Sequence, residues 1–411
     1  MSLIPEISRG GLLKLMLVLV FVCWVSPLYA TAEQPPSESE TWLVTYGPGE
    51  IYWQRFGHNA IWIRDAGLGL DHVFNFGFFD FEQEDFFLRF LQGRMLYFSA
   101  ARPAREEFAA YINENRSIRA QRLDLSANQQ LRLIEYLLAE VRPENRDYLY
   151  DYYLNNCSTR VRDAIDLAMD GQLEEEFGPV TASQNWRDHT RRLTSGDFWL
   201  YLGLETGLGS PVDREVSRWD EMFIPAELAD AVASVRYSGG GLSRPLVLED
   251  VLLYESSLEP PPQYPRTWWP RYLLASLGAV LAIWLLCRFA PPIVSQVLAR
   301  SWLVFSGLAG FVLLFLWFGT DHSVARVNLN LLVFCPAWIF LAFWKGRGKM
   351  SVLLIAGVSL LALLMTALPP HQYNQDVLAA FLPLNLAAAL GLFRNRRSSA
   401  ARPGVPASVD Q

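Results

Sequence analysis

Hydrophobic positions fall into two regimes along the chain. Residues 33 to about 265 mix apolar positions with charge, whereas 271–393 are mostly apolar and broken by short polar or Pro-containing loops. In the first regime, Thr41 to Tyr46 is rich in aromatic and β-branched residues and predicts a strand, ended by Pro48 and Gly49. Ala60 to Ile63 predicts a second strand. A turn containing Gly67 and Gly69 returns the chain into His72 to Gly77, so the two form a hairpin. Ser126 to Arg142 reads as an amphipathic helix. Ser126 and Gln129 make a capping box, Leu131, Ile134, Leu137 and Leu138 form the stripe, and Pro143 stops it. Val161, Ile165 and Leu167 to Met169 recur at helical spacing and predict a helix that begins near Cys157. Residues 178–233 are rich in Gly and Pro breakers and predict short helices packed on the core. Leu246 to Tyr254 is a last strand-like run, and Pro260 to Pro262 make a stiff linker.

The second regime predicts five membrane spans at roughly 271–289, 301–319, 329–344, 351–368 and 377–393, each near the roughly 17 to 20 residues a bilayer requires. Arg288, Arg300, Lys345, Arg347, Lys349, Arg394, Arg396 and Arg397 flank loops on one side, and the positive-inside rule assigns that side to the cytoplasm. Residues 33–265 then lie outside. The N-terminus agrees with this: Arg9 and Lys14 precede the apolar run Leu15 to Val25, and Ala30-Thr31-Ala32 supplies small residues for cleavage after Ala32, with an uncleaved anchor as the alternative. The expected division is a signal peptide over 1–32, an extracytoplasmic domain over 33–265, a membrane domain over 266–397 and a disordered cytoplasmic tail over 398–411.

Composition sharpens this. A chain that is 51% hydrophobic and 19% charged is too apolar for an ordinary soluble protein. The net charge of −7, with no basic stripe interleaved with aromatics, excludes a nucleic-acid partner. Phe78 to Phe98 is dense in aromatics; a core segment is the leading reading, and an apolar face that meets lipid is the other.

Cys157 is the only cysteine in the polar half, so it has no disulfide partner there. At a helix N-terminus, unpaired backbone N–H groups favour a thiolate, and Arg160 and Arg162 are expected to add positive charge. The plainer alternative is a small buried hydrophobe. His58 stands at the mouth of the strand Ala60–Ile63, and His72 and Asn75, on the partner strand, are candidates to orient it. A histidine and a cysteine of this kind are the two parts of a thiol nucleophile and its base. His189, in RDHTRR, reads as a solvated helical position. There is no HExxH, CxxC, GxSxG or P-loop, so neither a metal nor a cofactor is called for.

The segments FGHNAIWIRD, HVFNFGFFDF, NNCSTRVRD, GLGSPVD with MFIP, and DHSVARVNLNLL resemble the Lnb-type family of bacterial membrane-bound lipoprotein N-acyltransferases, over about residues 42–345. That family is similar to circularly permuted NlpC/P60 domains, in which the histidine precedes the cysteine. The resemblance implies an α+β papain-like extracytoplasmic domain followed by an all-α membrane domain in the bacterial inner membrane, with the catalytic domain facing the periplasm. It carries nucleophile and base onto Cys157 and His58. The NFG context favours Asn75 over His72 as the third residue. The implied substrates are a phospholipid acyl donor and a lipoprotein acceptor, with Cys157 carrying the acyl chain as a thioester. Arg160, Arg162, His322 and Asn328 are the expected substrate-binding residues. Two alternatives stay open: a membrane-anchored NlpC/P60-like peptidase or amidase acting on peptidoglycan, and a tethered binding module with an inert Cys157.

Overall fold

The structure is a computed structural model that describes residues 39–239, 242–344, 348–369 and 371–400. The expected signal segment, 1–32, lies outside the described residues, as do residues 401–411 of the expected tail. The strands are β1 (Glu40–Tyr46), β2 (His58–Asp65), β3 (Leu70–Phe78), β4 (Leu96–Pro103), β5 (Ile118–Leu123), β6 (Asp147–Leu149), β7 (Arg236–Gly239), β8 (Leu242–Pro245) and β9 (Val247–Tyr254). Seven of them form one sheet in the order β6-β4-β3-β2-β1-β5-β9, and β7 with β8 makes a separate ribbon. Every pairing in the large sheet is antiparallel, including the expected β2–β3 hairpin.

The helices of this part are α1 (Phe86–Gln92), α2 (Ala104–Asn113), α3 (Ala127–Glu140), α4 (Cys157–Ala168), α5 (Gln172–Phe177), α6 (Trp186–Thr194), α7 (Phe198–Gly207), α8 (Arg218–Glu221) and α9 (Pro225–Ser234). Because side chains alternate across a strand, the sheet feeds two cores. Leu43, Ile61, Ile63, Phe74 and Phe76 pack with Leu133, Ile134 and Leu137 of α3 and Val161, Ala164 and Ile165 of α4. Trp42, Val44, Tyr46, Ala60 and Val73 face the other way, toward Ala104, Phe108 and Tyr111 of α2. The capping box of Ser126 and Gln129 forms as expected. Of the expected stripe on that helix, Leu131 and Leu138 are exposed and Leu133 takes the buried place, because the sheet lies under the other side of the turn.

The apolar half holds α10 (Trp269–Phe289), α11 (Pro292–Phe318), α12 (Ala337–Phe343), α13 (Gly348–Met365) and α14 (Gln375–Ala400). Helix α14 continues through residues 398–400, which the sequence assigns to the tail. Helices α10 and α11 are long and apolar enough to cross a membrane, and three shorter apolar stretches follow.

The expected continuous span over 329–344 is replaced by a 3-10 turn at Leu329–Leu332, an irregular stretch, and the seven-residue α12. Irregular backbone at membrane depth persists only where protein supplies its hydrogen bonds. Here the Val333 carbonyl accepts from Trp338 Nε1 at 2.9 Å, Asn385 Nδ2 at 2.8 Å and Ser306 Oγ at 3.3 Å. Gly310 lets α11 approach this segment, since a Cβ there would lie 1.7 Å from the Phe334 carbonyl oxygen.

The two halves are joined by hydrogen bonds. The backbone N–H groups of Gly209 and Ser210 donate to the Val324 and Val327 carbonyls at 2.8 and 3.2 Å. Gly209 is required there, because a Cβ would collide with the Arg326 carbonyl at 1.8 Å. Buried Arg187 grips Asp213 through two bonds of 2.6 and 2.9 Å, and Arg191 grips Glu205 through two of 2.9 and 2.7 Å while also donating to the Tyr373 carbonyl.

Candidate active site

Cys157 is the first residue of α4, and nearly every neighbour in NNCSTR serves to hold that helix end. Asn156 is the N-cap; its Oδ1 accepts from Thr159 N–H at 2.9 Å, and the Thr159 hydroxyl accepts from Asn156 N–H at 2.8 Å. The Asn156 amide also donates to the Tyr152 and Phe223 carbonyls, both at 2.9 Å. Ser158, fully buried, donates to Asn59 Oδ1 at 2.8 Å and lies 2.6 Å from the Met222 carbonyl oxygen. The MFIP segment therefore contributes backbone carbonyls that seat the cysteine's helix.

Backbone N–H groups of Asn59, Ser158 and Cys157 itself favour the charged form of the sulfur. Asn59 directly follows His58 on β2, so the Ser158–Asn59 bond brings the start of that strand to the first turn of α4. Gly77 makes room on the other side. It sits at a register shift between β3 and β4 with φ of +92°, and a Cβ there would touch Cys157 Cβ at 3.4 Å and Tyr150 at 3.7 Å.

His58 and Asn75 meet: Nε2 and Oδ1 are 2.9 Å apart. The Asn75 amide nitrogen donates to the Val73 carbonyl at 3.2 Å, which fixes the oxygen toward the histidine. An amide oxygen only accepts, so His58 carries its proton on Nε2 and leaves Nδ1 as the basic atom. Nδ1 has no hydrogen-bond partner among the described residues. His72 is not at this centre. It lies on the opposite face of β3, pairs in register with Ile63, and its Nδ1 accepts from the Asp71 N–H at 3.3 Å.

Electrostatics correct one expectation. Burial pushes the Cys157 thiol above its ordinary range, more than the three N–H groups and Arg116 pull it down. Burial also pulls His58 down to about 4, with the Asn75 bond opposing and Arg116 adding to the fall. Thiol and imidazole are both neutral at rest. Arg160 and Arg162 do not supply the expected charge, because packing holds both elsewhere. Arg160 donates to Glu140 at 2.8 Å and to Asn155 at 2.9 Å and stacks 3.9 Å over Tyr148. Arg162 is tied to Asp163 at 2.7 Å and to the Trp219 carbonyl at 2.9 Å.

Several residues near the centre have no signal in the sequence. Tyr46 and Tyr111 stack on each other at 3.5 Å, with the His58 ring 5.8 and 6.2 Å away. Arg116 lies 4.6 Å over Tyr111, and its Nη2, like the Tyr46 hydroxyl, is buried without a hydrogen-bond partner among the described residues. Glu107, buried on α2, acts on the Asn75 amide from behind and pairs with Arg102 at 3.2 Å. Only the fold joins α2 to β2 and β3, so spacing along the chain does not reveal these contacts.

His189 is the second correction. It is fully buried; its Nδ1 accepts from Arg192 Nε at 3.0 Å and its Nε2 lies 2.9 Å from Glu221 Oε1. His189, Glu221 and Glu227 have ligand atoms within 4.8 Å of one another, but Arg192 already pairs with Glu227 at 3.0 Å and Arg218 with Glu221 at 3.5 Å. This is a paired network that holds α6 to α8 and α9. The membrane-side candidates are also engaged. Buried Asn328 donates to the Thr206 and Gly207 carbonyls at 2.9 and 3.0 Å and accepts from Asn330 N–H and Gln372, so its amide serves the junction between the halves and is not free for a headgroup. His322 lies 3.0 Å from the Phe90 carbonyl oxygen and stacks 6.2 Å from Tyr152.

Two family models match the chain: the Lnb N-terminal periplasmic domain over residues 28–192 and the Lnb transmembrane domain over residues 265–399. The chain belongs to the Lnb family. It is therefore a membrane protein with a periplasmic domain, and the mixed α/β architecture with an antiparallel sheet followed by apolar helices agrees with that assignment. Comparison with curated proteins and with solved structures gives no match.

Proposed function

We propose that this Lnb-family chain is a cysteine-dependent acyltransferase, which moves a fatty acyl chain from a phospholipid to the α-amine of a lipoprotein's lipid-bearing N-terminal cysteine. The observation that carries the reading is one arrangement: a cysteine at a capped helix N-terminus, tied through Ser158 and Asn59 to the start of the strand that holds His58, whose tautomer Asn75 sets. Because thiol and imidazole are both neutral at rest, proton transfer accompanies attack. Sγ adds to the donor's ester carbonyl while Nδ1 of His58 takes the thiol proton. The backbone N–H groups at the N-terminus of α4 stabilise the oxyanion that forms. Collapse breaks the ester C–O bond, and His58 returns the proton to the departing lysophospholipid oxygen. The acceptor amine then attacks the thioester carbonyl, His58 takes the amine's proton, and the thiolate leaves and is reprotonated.

On this reading the chain is a multi-pass protein of the inner membrane, with the division of residues 33–265 and 266–397 separating chemistry from anchorage. The firm junction between the halves supports two bilayer-held substrates, since a hydrolase of a soluble wall peptide needs only a tether. The test is mass spectrometry of full-length protein in phospholipid nanodiscs, with and without a diacylated lipoprotein peptide. The expected result is a fatty acyl mass on the Cys157 peptide that disappears as the acceptor gains an amide-linked chain. Transfer that persists in Cys157→Ala would overturn the mechanism.

A further inference from the structure

Phe78 to Phe98 is not the core segment that the sequence favours. Helix α1 presents Phe87 at 74% exposure, Leu88 at 50%, Phe90 at 45% and Leu91 at 49%, beside Phe81 at 52% and Trp53 at 55%. These rings form a built surface. Trp53 meets Phe79 and Phe81 edge-on, both at 5.9 Å, and Phe81 meets Phe86 at 5.0 Å. In water such a contiguous patch is unfavourable and marks a surface that something apolar covers.

Its place in the fold says what covers it. The carboxyl end of α1 is bonded to the residues that follow the apolar helix α11. Asp321 N–H donates to the Gln92 carbonyl at 2.8 Å, Arg94 pairs with Asp321 at 2.6 Å, and His322 lies on the Phe90 carbonyl. Gly93, with φ of +75°, permits this closeness, since a Cβ would come within 2.7 Å of the His322 nitrogen. Phe318, the last residue of α11, is itself 74% exposed. Helix α1 thus stands where a membrane-crossing helix leaves the hydrocarbon. The preceding acids Asp80, Glu82, Glu84 and Asp85 suit the aqueous side and keep the segment at the boundary.

We propose that the aromatic face of α1, with Trp53 and Phe81, rests in the periplasmic leaflet of the bilayer and forms a lipid-contacting platform beside the cysteine. The platform connects inward through stacked rings. Phe86 meets Phe79 at 6.2 Å, Phe79 meets Tyr97 at 5.2 Å, Tyr97 meets Tyr150 at 4.3 Å, and Tyr150 flanks Gly77 and Cys157. The placement rests on the membrane assignment of the chain and is independent of the acyl-transfer chemistry. If that chemistry holds, this is the side from which the donor's chain reaches the thiol.

The test uses the full-length protein in phosphatidylcholine nanodiscs, with photoreactive benzoyl-phenylalanine introduced singly at Phe87, at Leu91, and at Leu131 on α3, which is 53% exposed. After irradiation, peptide mass spectrometry reads phospholipid adducts. Adducts at Phe87 and Leu91 are expected at about ten times the yield at Leu131. Equal yields at the three positions, or none at Phe87 and Leu91, would overturn the proposal. Either α1 position alone decides it if the other variant does not fold.

Discussion

His58 and His189 lie in one domain and are built for opposite ends. His189 has both ring nitrogens bonded, no exposure, and two arginine–carboxylate pairs around it. His58 has one nitrogen held by Asn75 and the other without a partner among the described residues, with unpaired polar atoms of Tyr46 and Arg116 nearby. A buried polar network with its partners in place rigidifies a fold, whereas a centre with unmet hydrogen-bonding capacity is ready for a ligand. Burial alone therefore does not separate the two. The number of free lone pairs does.

Breaking the His58 side should give the largest effect. His58→Ala is expected to lower acyl transfer by about 10²- to 10⁴-fold with little change in melting temperature, since general acid–base catalysis is worth that much. Transfer kinetics beside a thermal melt measure both, and near-normal turnover would remove His58 from the mechanism.

His189→Ala should do the reverse: a loss of about 1–3 kcal/mol in stability, because it leaves Glu221 Oε1 and Arg192 Nε without that partner in the interior, with turnover per folded molecule close to that of the parent. Denaturant unfolding checks the first part. An unchanged midpoint would mean that the buried network is not structural.

Asn75→Ala should cost roughly 10- to 100-fold in transfer, the usual scale for a partner that sets a histidine's orientation. His72→Ala should cost nothing measurable, since it faces the other side of β3. A larger loss at His72 than at Asn75 would reverse the assignment of the third residue.

The smallest effect sharpens the electrostatics. Because burial raises the Cys157 thiol and lowers His58, iodoacetamide labelling of the Cys157 peptide should be slow near pH 6 to 7 and should accelerate as pH rises through and beyond the ordinary thiol range. A thiolate held by the helix N-terminus would instead label fast at about pH 6 to 7. A plateau already reached there would mean a stable thiolate–imidazolium pair.

Local chemistry made much of the molecule legible without coordinates. The β2–β3 hairpin, the capped helix α3 and the helix that begins at Cys157 follow from alternation, helical spacing and caps, which are interactions over a few residues. The apolar regime after residue 271 was equally plain, because a bilayer imposes length and composition directly. What the sequence did not decide was which polar groups would find partners. Arg160 and Arg162 look like charges beside a thiol until Glu140, Tyr148 and Trp219 engage them from distant segments. His189 looks solvated until Glu221 and Arg192 close over it. The span over 329–344 reads as a continuous helix until Ser306 and Asn385 supply donors that let it break. The exposed aromatics of α1 read as core because composition reports hydrophobicity but not the side on which neighbours lie. Desolvation depends on everything packed around a group, and so the protonation of Cys157 and His58 was decided by the tertiary structure alone.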